Sequence, residues 1–483
     1  MRFFSGDKES CAQRRFRAAA VGIVLFGLAL RLLYVSVVKV DFPIRGDINQ
    51  YVLYAWNLSH RGTFSTALPD AVEVEPSSYR GPGYPALLAA TMLAAGHADL
   101  PLRPGPQGTT ALGYETDTWM RLAIDIQVLL GTATIWLTIL VARFWLRWRW
   151  ALAAGLIVAV WPHLVAFTGV LLSETLFGFL LSLSFWMLCR AEREGGKPGM
   201  AIAGLAWGMT YLVNPVVAFF PLLAAGSIGR RSGWRVAGVL VAGFMLAPAL
   251  WGLRNAISVH DPGALRRAEQ NFVEGSWPYY HDAYNNRFNN PVAQRILADI
   301  QKETVELEHS PSVGMESIFA RLSHDPGLYL DWYLVYKPYL LWDWILRLGW
   351  GDIYFLPTQN SPFERIPILA ATKKGLELLN PFVFGLAALA ALGILGASLL
   401  GRRNIPFAPL ALSALVVYLT AVHVALQAEP RYSVPYRPEE VLLAITALAV
   451  LGEWIVARIR KFPPDNAPWN SDSSRMPRRM LVG

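Results

Sequence analysis

The sequence predicts an all-α polytopic membrane protein, with about ten transmembrane helices, interfacial helices in its first outside loop and a small helical outside region. Of 483 residues, 54% are hydrophobic and 16% are charged, whereas about 25% are charged in soluble proteins. Apolar runs long enough to cross a bilayer recur along the chain. The net charge of +8 does not indicate a nucleic-acid partner, because the basic residues form short clusters between these runs.

The N-terminal region combines a basic cluster with an apolar run. Three arginines, at positions 14, 15 and 17, predict a cytoplasmic N-terminus over residues 1–18. The first apolar run, Val21–Val40, lacks a small-residue cleavage site, so we interpret it as a retained helix. It contains Arg31, and an ionisable group within a spanning helix is a functional candidate unless it snorkels to the headgroups.

Residues 41–118 are predicted to form the first outside loop of a transmembrane core over 19–255. Between Val40 and Thr118 the sequence has eight acidic but only four basic residues, which suits the outside face. The loop is too long and too rich in aromatic residues for a passive connector. Its apolar stretch Ala86–Ala95 is too short to span, so we expect a helix in the interface.

The other spanning helices follow from the alternation of apolar runs and basic clusters. They are predicted over Trp119–Val141, Ala151–Phe167, Leu172–Leu188, a pair within Met200–Ile228 broken at Asn214-Pro215, Val236–Leu253, Pro381–Leu400, Phe407–Ala428 and Val441–Ala457. With these helices every basic cluster falls on one side, which predicts that both termini are cytoplasmic. Residues 357–460 then hold the C-terminal transmembrane helices, and 461–483 form a disordered tail.

Residues 256–356 are predicted to form the outside and interfacial helical region. Its last part, Leu328–Phe355, is dense in Trp and Tyr. A further crossing there would put Arg402 and Arg403 on the wrong side, so we expect a helix lying in the interface.

The first outside loop contains two candidate elements. Asp47, Tyr51 and Tyr54 share one face of a predicted helix. Asp47 could cap that helix or act as a base towards an acceptor hydroxyl or amine. Arg80, beside a Gly-Pro-Gly turn and Tyr84, could bind a phosphate through two hydrogen bonds or snorkel.

Later elements lie at the same predicted membrane level. Ser173 is a good helix N-cap, and Glu174 in the first turn either complements the helix dipole or faces a cavity shared with Asp47. Arg254 and Arg431 add cations. These carboxylates and arginines would form a ring of charged groups at one membrane level, and such a ring would suit a lipid-linked anionic substrate. The sequence has no nucleotide-binding loop, zinc motif or nucleophile elbow, which favours a substrate activated on a lipid.

The ordered set of elements resembles the GT-C glycosyltransferases, including bacterial relatives of dolichyl-phosphate-mannose protein mannosyltransferases and lipid A aminoarabinose transferases. The resemblance spans roughly residues 15 to 460 and is carried by Gly46-Asp47 with Tyr51, Ala55, Asn57, Leu58, Gly62 and Phe64, then Arg80–Pro85, Ser173–Phe177, Arg254-Asn255 and Arg431-Tyr432 with Pro435. Asn214 departs from the pattern, because many relatives carry Arg or Lys before this proline.

The resemblance implies the GT-C fold and a mechanism. A sugar moves with inversion from a polyprenyl-phosphate donor to a lipid, glycan or protein acceptor, at the periplasmic face of the bacterial inner membrane. Asp47 matches the family's first-loop base or acceptor-orienting carboxylate, and Glu174 matches a second acidic residue. The remaining expected site residues bind the donor phosphate (Arg80, Arg431 and Arg254) or line the substrate cavity (Tyr51, Tyr54, Tyr84, Tyr432 and Arg31). No cofactor is implied; Asp47 and Glu174 could chelate a divalent ion, but no metal is expected.

Two other classes of protein remain as alternatives. A transporter or flippase of lipid-linked sugars would be expected to have internal repeats and charges at the bilayer midplane. Neither is evident in the sequence. A polymerase or ligase of surface polysaccharide also uses lipid-linked sugars, but usually carries a long outside loop late in the chain. Here the polar region follows the seventh helix.

Overall fold

The computed structural model describes residues 11–41, 43–96, 100, 102–104, 110–112, 117–260, 263–402 and 405–459, without the side chains of 11, 102–104, 110–112 and 457–459. The predicted tail 461–483 and the first ten residues of the N-terminus lie outside this part. Helices dominate what is described, and the strands form two small two-stranded sheets.

The N-terminal part consists of one long helix followed by the first loop. Its elements are α1 (Cys11–Val37), β1 (Lys39–Val40), α2 (Asp47–Arg61), α3 (Gly83–Ala94), and a hairpin of β2 (Leu102–Pro104) and β3 (Thr110–Leu112). Helix α1 begins at Cys11, ten residues before the predicted Val21, so the arginines at positions 14, 15 and 17 lie within the helix rather than before it. Helices α2 and α3 form where the sequence predicts loop helices.

The next helices make up most of the bundle. They are α4 (Thr118–Ala142), α5 (Trp148–Val160), α6 (Pro162–Ala166), α7 (Glu174–Glu194), α8 (Lys197–Val213), α9 (Phe220–Ser232) and α10 (Trp234–Ser258). Helices α5 and α6 meet at a 56° bend, because the residue before Pro162 leaves the helical conformation. The predicted break at Asn214 is present, and its side chain accepts from the backbone N–H of Val216.

Helices α8 and α10 approach closely through small residues. A Cβ at Gly204 would lie 2.2 Å from the Leu240 carbonyl oxygen, and one at Gly243 would lie 2.4 Å from that of Ala201. Both positions therefore require glycine. This is the usual way for membrane helices to pack without a hydrophobic driving force between them.

A region of shorter helices follows α10. It comprises α11 (Gly263–Gly275), α12 (Tyr280–Asn286), α13 (Pro291–His309), α14 (Pro311–His324), α15 (Pro326–Asp331), a π-helical turn (Trp332–Tyr336) and α16 (Lys337–Leu341). The prediction of one helix over Leu328–Phe355 is wrong, because helical structure ends at Leu341. The chain then turns through Gly351 and Asp352, which both have positive φ.

The C-terminal part returns to long helices. Its elements are β4 (Thr358–Gln359), α17 (Pro362–Arg365), α18 (Pro367–Leu399), α19 (Phe407–Ala425), α20 (Pro430–Ser433), a 3₁₀ turn (Val434–Tyr436) and α21 (Arg437–Ile459). Strand β4 pairs antiparallel with β1. Helix α18 begins 14 residues before the predicted Pro381, which lies inside it; membrane helices tolerate an internal proline.

The described chain has helices at all ten predicted spanning positions, but not all are equally long. Six are long and apolar enough to cross a membrane alone: α1, α4, α7, α10, α18 and α19. The bent pair α5–α6 would be a seventh. Helices α8 and α9, of 17 and 13 residues, and α21 do not meet this criterion. The protein is therefore a multi-pass, all-α membrane protein.

Candidate active site

A cavity of about 780 Å³ opens between α2, the helices α11 and α12, and the segments that precede α17 and α20. Among the residues lining it, arginines outnumber carboxylates, and amide and aromatic side chains cover much of the rest. The charged lining residues are Arg45, Asp47, Arg80, Arg267, Glu274, Arg287 and Arg431. The cavity is therefore polar and positively charged, which suits an anionic ligand.

Asp47 lies at the edge of this cavity, at the first residue of α2. Gly46 precedes it with φ of 57°, a left-handed conformation that disfavours side chains. Gly46 occupies the N-cap position and Asp47 is the first helical residue, so the interpretation of the Asp47 carboxylate as the N-cap is wrong. Instead Oδ1 accepts from Nη2 of Arg80 at 2.7 Å, and Oδ2 accepts from Nη2 of Arg431 at 2.8 Å.

Arg431 links the two carboxylates predicted from the sequence. Its Nε donates to Oε1 of Glu174 at 2.5 Å, while Nη2 binds Asp47. The guanidinium also lies 4.3 Å from the ring centroid of Phe355. Two carboxylates and a ring thus fix its orientation, and we call Asp47, Arg80, Glu174 and Arg431 the cavity cluster.

Arg80 is held as firmly as Arg431. Its Nε donates to Oε1 of Gln50 at 2.8 Å, and its guanidinium lies 5.2 Å from the ring centroid of Tyr51. The neighbouring Gly81 leaves no room for a Cβ, which would lie 2.5 Å from the carbonyl oxygen of Leu212. The loop therefore packs directly onto the end of α8, and this contact fixes the position of Arg80.

Glu174 is the first residue of α7 and is only 7% exposed. The predicted N-cap, Ser173, makes no capping hydrogen bond; its hydroxyl lies 3.3 Å from the hydroxyl of Tyr51. A smaller cavity of about 40 Å³ is lined by Tyr51, Glu174, Arg431 and Tyr432 among others. It shares Arg267, Arg431 and Tyr432 with the main cavity, so the two are neighbours.

The electrostatics of the cavity cluster keep its charges fixed. Burial acts to raise the pKa of the Asp47 carboxyl, but Arg431 and Arg80 lower it more, to well below the usual range. Burial acts to lower the pKa of Arg80, and Tyr51 and Asp47 raise it. For Arg431, Glu174 and Asp47 likewise outweigh burial and raise the pKa. Asp47 is therefore a carboxylate, and both arginines are cations, throughout the neutral pH range.

Four other predicted site residues lie away from the main cavity. Arg31 is buried in α1, donates to the carbonyl of Ala159, and lines a separate cavity of about 20 Å³ with Glu174. The Tyr84 hydroxyl donates to Gln127. Tyr54 and Arg254 bind one stretch of the first loop, Tyr54 through the Ser77 hydroxyl at 2.7 Å and Arg254 through the Ser77 carbonyl at 2.9 Å. Arg254 is therefore a support for the loop rather than a lining residue.

The sequence analysis missed several lining residues. Arg267 and Glu274 come from α11, where nothing in the spacing distinguishes them from other charged residues of a polar helix. Gln50 lies one turn after Asp47 on α2 and could have been found from that spacing. Arg267 lines both the main cavity and the smaller one beside it, so the helical region after α10 contributes directly to the site.

Another buried arginine, Arg437, lies six residues after Arg431. Arg437 donates to Glu440 at 2.7 Å, to Asn380, and to the carbonyls of Trp342 and Asp343. Arg437 and Glu440 are each 1% exposed, and neither lines the main cavity. We call Asn380, Arg437 and Glu440, with these two carbonyls, the sealed cluster.

In the described part of the chain, no group of three or more His, Cys, Asp or Glu side chains is arranged to hold a metal ion. Asp47 and Glu174, the residues that the sequence suggested for chelation, bind Arg431 instead.

No protein-family model and no curated protein matches the chain in sequence. Among solved structures it is similar to the apo oligosaccharyltransferase of Archaeoglobus fulgidus, with a TM-score of 0.50 and 14% identity over 94% of this chain and 52% of that one. It therefore spans about half the length of that protein. The same organism's oligosaccharyltransferase AglB, in complex with an inhibitory peptide and a dolichol-phosphate, has a TM-score of 0.49 and 14% identity, over 94% of this chain and 52% of that one. ArnT from Cupriavidus metallidurans, bound to undecaprenyl phosphate, has a TM-score of 0.35 and 15% identity, over 93% of this chain and 80% of that one. The chain has the GT-C fold.

Proposed function

We propose that this protein is an integral-membrane glycosyltransferase, which moves a sugar from a polyprenyl-phosphate donor to a lipid, glycan or protein acceptor. The observation that carries the proposal is the pair of guanidinium groups, Arg80 and Arg431, fixed on either side of Asp47 at the edge of a large cavity. The fold shared with an oligosaccharyltransferase supports it. We assign the cavity to the periplasmic face of the bacterial inner membrane.

The donor phosphate is proposed to bind Arg80 and Arg431. A guanidinium matches the geometry of a phosphate group and stays charged at all relevant pH values. Arg267 lines the same cavity and supplies further positive charge. Since the protein spans a membrane, a donor carried on a polyprenyl chain can reach this cavity laterally from the lipid.

The reaction proposed is a displacement with inversion at the anomeric carbon. The acceptor oxygen or nitrogen forms a bond to that carbon from the face opposite the phosphate. The bond from carbon to phosphate oxygen breaks, its electron pair leaves with the polyprenyl phosphate, and the acceptor loses its proton. Negative charge grows on the departing phosphate, and preorganised cations at that point are the largest electrostatic contribution available.

Asp47 is proposed to orient the acceptor and take its proton. The two arginines hold the pKa of Asp47 low, which makes it a weak base before the donor binds. A bound phosphate would share Arg80 and Arg431 and so raise the pKa of Asp47. Donor binding would thus increase the basicity of Asp47 when the acceptor needs it. Glu174, which binds the Nε of Arg431, would hold that arginine in position throughout.

The proposal is tested by Asp47→Asn in a strain that has no other copy of the gene. Transfer should fall by about 10²–10⁴-fold, the usual contribution of an acid–base group. Mass spectrometry of extracted lipids should find an accumulated polyprenyl-phosphate sugar, whose mass also identifies the donor. Glu274→Gln is the matched control, because Glu274 lines the cavity but binds no arginine in the described structure. Wild-type transfer by a folded Asp47→Asn protein would refute the assigned role.

A further inference from the structure

A second large cavity lies at the other end of α19. It measures about 460 Å³ and is bounded by α9, the end of α18 and the start of α19. The far end of α19 is followed by Gln427, which lines the Asp47 cavity. The 19 residues of α19 extend about 28 Å, close to the thickness of the hydrocarbon core. The two cavities therefore open towards opposite membrane leaflets, and we call the second one the α9–α19 cleft.

The walls of the α9–α19 cleft are mostly apolar. Helix α9 contributes Phe220, Leu222 and Leu223, and α19 contributes Phe407 and Leu410. Leu223 is 54% exposed, so this surface would face lipid rather than other helices. A Cβ built on Gly226, which also lines the cleft, would meet no other atom within 4 Å. The cleft thus has open, apolar space of the kind that suits an acyl chain.

Two arginines lie at one end of these apolar walls. Arg231 donates to the carbonyl of Ile405, lies over Phe407 and is close enough to Glu192 to interact with it. Arg230 lines the same cleft, and among the described residues its guanidinium has no acceptor. Basic residues in a last helical turn complement the helix dipole, which explains their charge but not the apolar cleft beside them.

We propose that the α9–α19 cleft binds an anionic phospholipid of the leaflet opposite the Asp47 cavity. The lipid phosphate contacts Arg230 and the exposed side of Arg231, and one acyl chain lies along α9 and α19. Basic pockets between helices at a membrane boundary recognise anionic headgroups in this way. A zwitterionic lipid carries the same phosphate, but its ammonium group offsets the attraction. This site is independent of the proposed sugar transfer.

The test uses the full-length protein purified in detergent and titrated with phosphatidylglycerol or phosphatidylcholine of identical acyl chains. Native mass spectrometry measures how much of each lipid stays bound. The wild type should retain phosphatidylglycerol in preference, and Arg230→Ala should weaken its binding about fivefold. Arg235→Ala is the control, since Arg235 belongs to the same basic cluster but does not line the cleft.

A second pair of variants tests the acyl-chain part of the cleft. Gly226→Leu fills open space and should lower retention of both lipids, whereas Gly238→Leu, on α10, also meets no protein atom and should leave retention unchanged. The proposal is overturned if Arg230→Ala keeps the wild-type preference, if Arg235→Ala loses it equally, or if Gly226→Leu retains both lipids like Gly238→Leu.

Discussion

The cavity cluster and the sealed cluster each contain an arginine of one short segment, Arg431 and Arg437, yet they differ in access to water. Arg431 binds Asp47, whose side chain is 32% exposed to a cavity of about 780 Å³. Arg437 binds Glu440, and both side chains are 1% exposed. Among the described residues, the hydrogen-bond partners of Arg437 are the side chains of Asn380 and Glu440 and the carbonyls of Trp342 and Asp343, which surround it away from the cavity. Asp47, in contrast, faces open space, where a ligand could replace it as a partner of Arg431.

The difference teaches that a buried arginine–carboxylate pair does not by itself mark an active site. A sealed pair stabilises one arrangement of helices, because removing one partner leaves a charge without compensation. A pair at the edge of a cavity can exchange its partner for a substrate phosphate. The two clusters therefore predict different consequences for the same kind of mutation.

The largest effect on folding is expected from Arg437→Ala. It would leave Glu440 buried and unpaired, at a cost of about 3–5 kcal/mol in the free energy of unfolding. Thermal unfolding and the yield of monodisperse protein measure this loss. The double variant Arg437→Met, Glu440→Met removes both charges and should recover part of it. If Arg437→Ala were as stable as the wild type, the sealed cluster would contribute no stability.

A smaller effect, on activity rather than folding, is expected from Glu174→Gln. The amide keeps the shape and an acceptor for Nε of Arg431 but removes the charge. A charged hydrogen bond contributes about 1.5–3 kcal/mol, so transfer should fall about 10–100-fold with little change in unfolding temperature. Transfer at the wild-type rate would show that Arg431 does not need this anchor.

The smallest effect concerns pH. The folded-state pKa of Asp47 lies below its value in the unfolded chain, near 3.9. Its contribution to stability is therefore fully present above about pH 4 and is lost as the pH falls through the folded-state value. The difference in unfolding temperature between wild type and Asp47→Asn should stay constant from pH 8 to pH 5 and become smaller below pH 4. A change between pH 8 and 5 would contradict the pairing with Arg80 and Arg431.

The positions of helices and helix breaks could be predicted from the sequence better than the directions in which side chains point. It predicted α2 from Asp47, the break at Asn214 and the polar region after α10, because hydropathy and proline act locally. It grouped Arg254 with Arg80 and Arg431, because membrane level alone cannot tell which way a side chain points. Arg254 instead binds the first-loop backbone.

Other features could not be predicted because they depend on packing between distant parts of the chain. Arg437 lies six residues after Arg431, and its partners Asn380 and Trp342 come from distant parts of the chain. Pro381 was interpreted as a helix start, although α18 passes through it. Arg267 faces the cavity because α11 packs against the first loop, where the Tyr79 hydroxyl donates to Gln270 and Arg267 lies over the Tyr79 ring; no local pattern indicates this contact.

The central claim is that the cavity cluster binds the donor phosphate, and binding of undecaprenyl phosphate to purified protein tests it most directly. Arg431→Ala should raise the dissociation constant about 10-fold or more, since it removes a charged hydrogen-bond donor from the site. Arg254→Ala, which removes an arginine of α10 that supports the first loop, should change the dissociation constant by less than about twofold. Equal binding by wild type and Arg431→Ala, or an equal loss in both variants, would contradict the account.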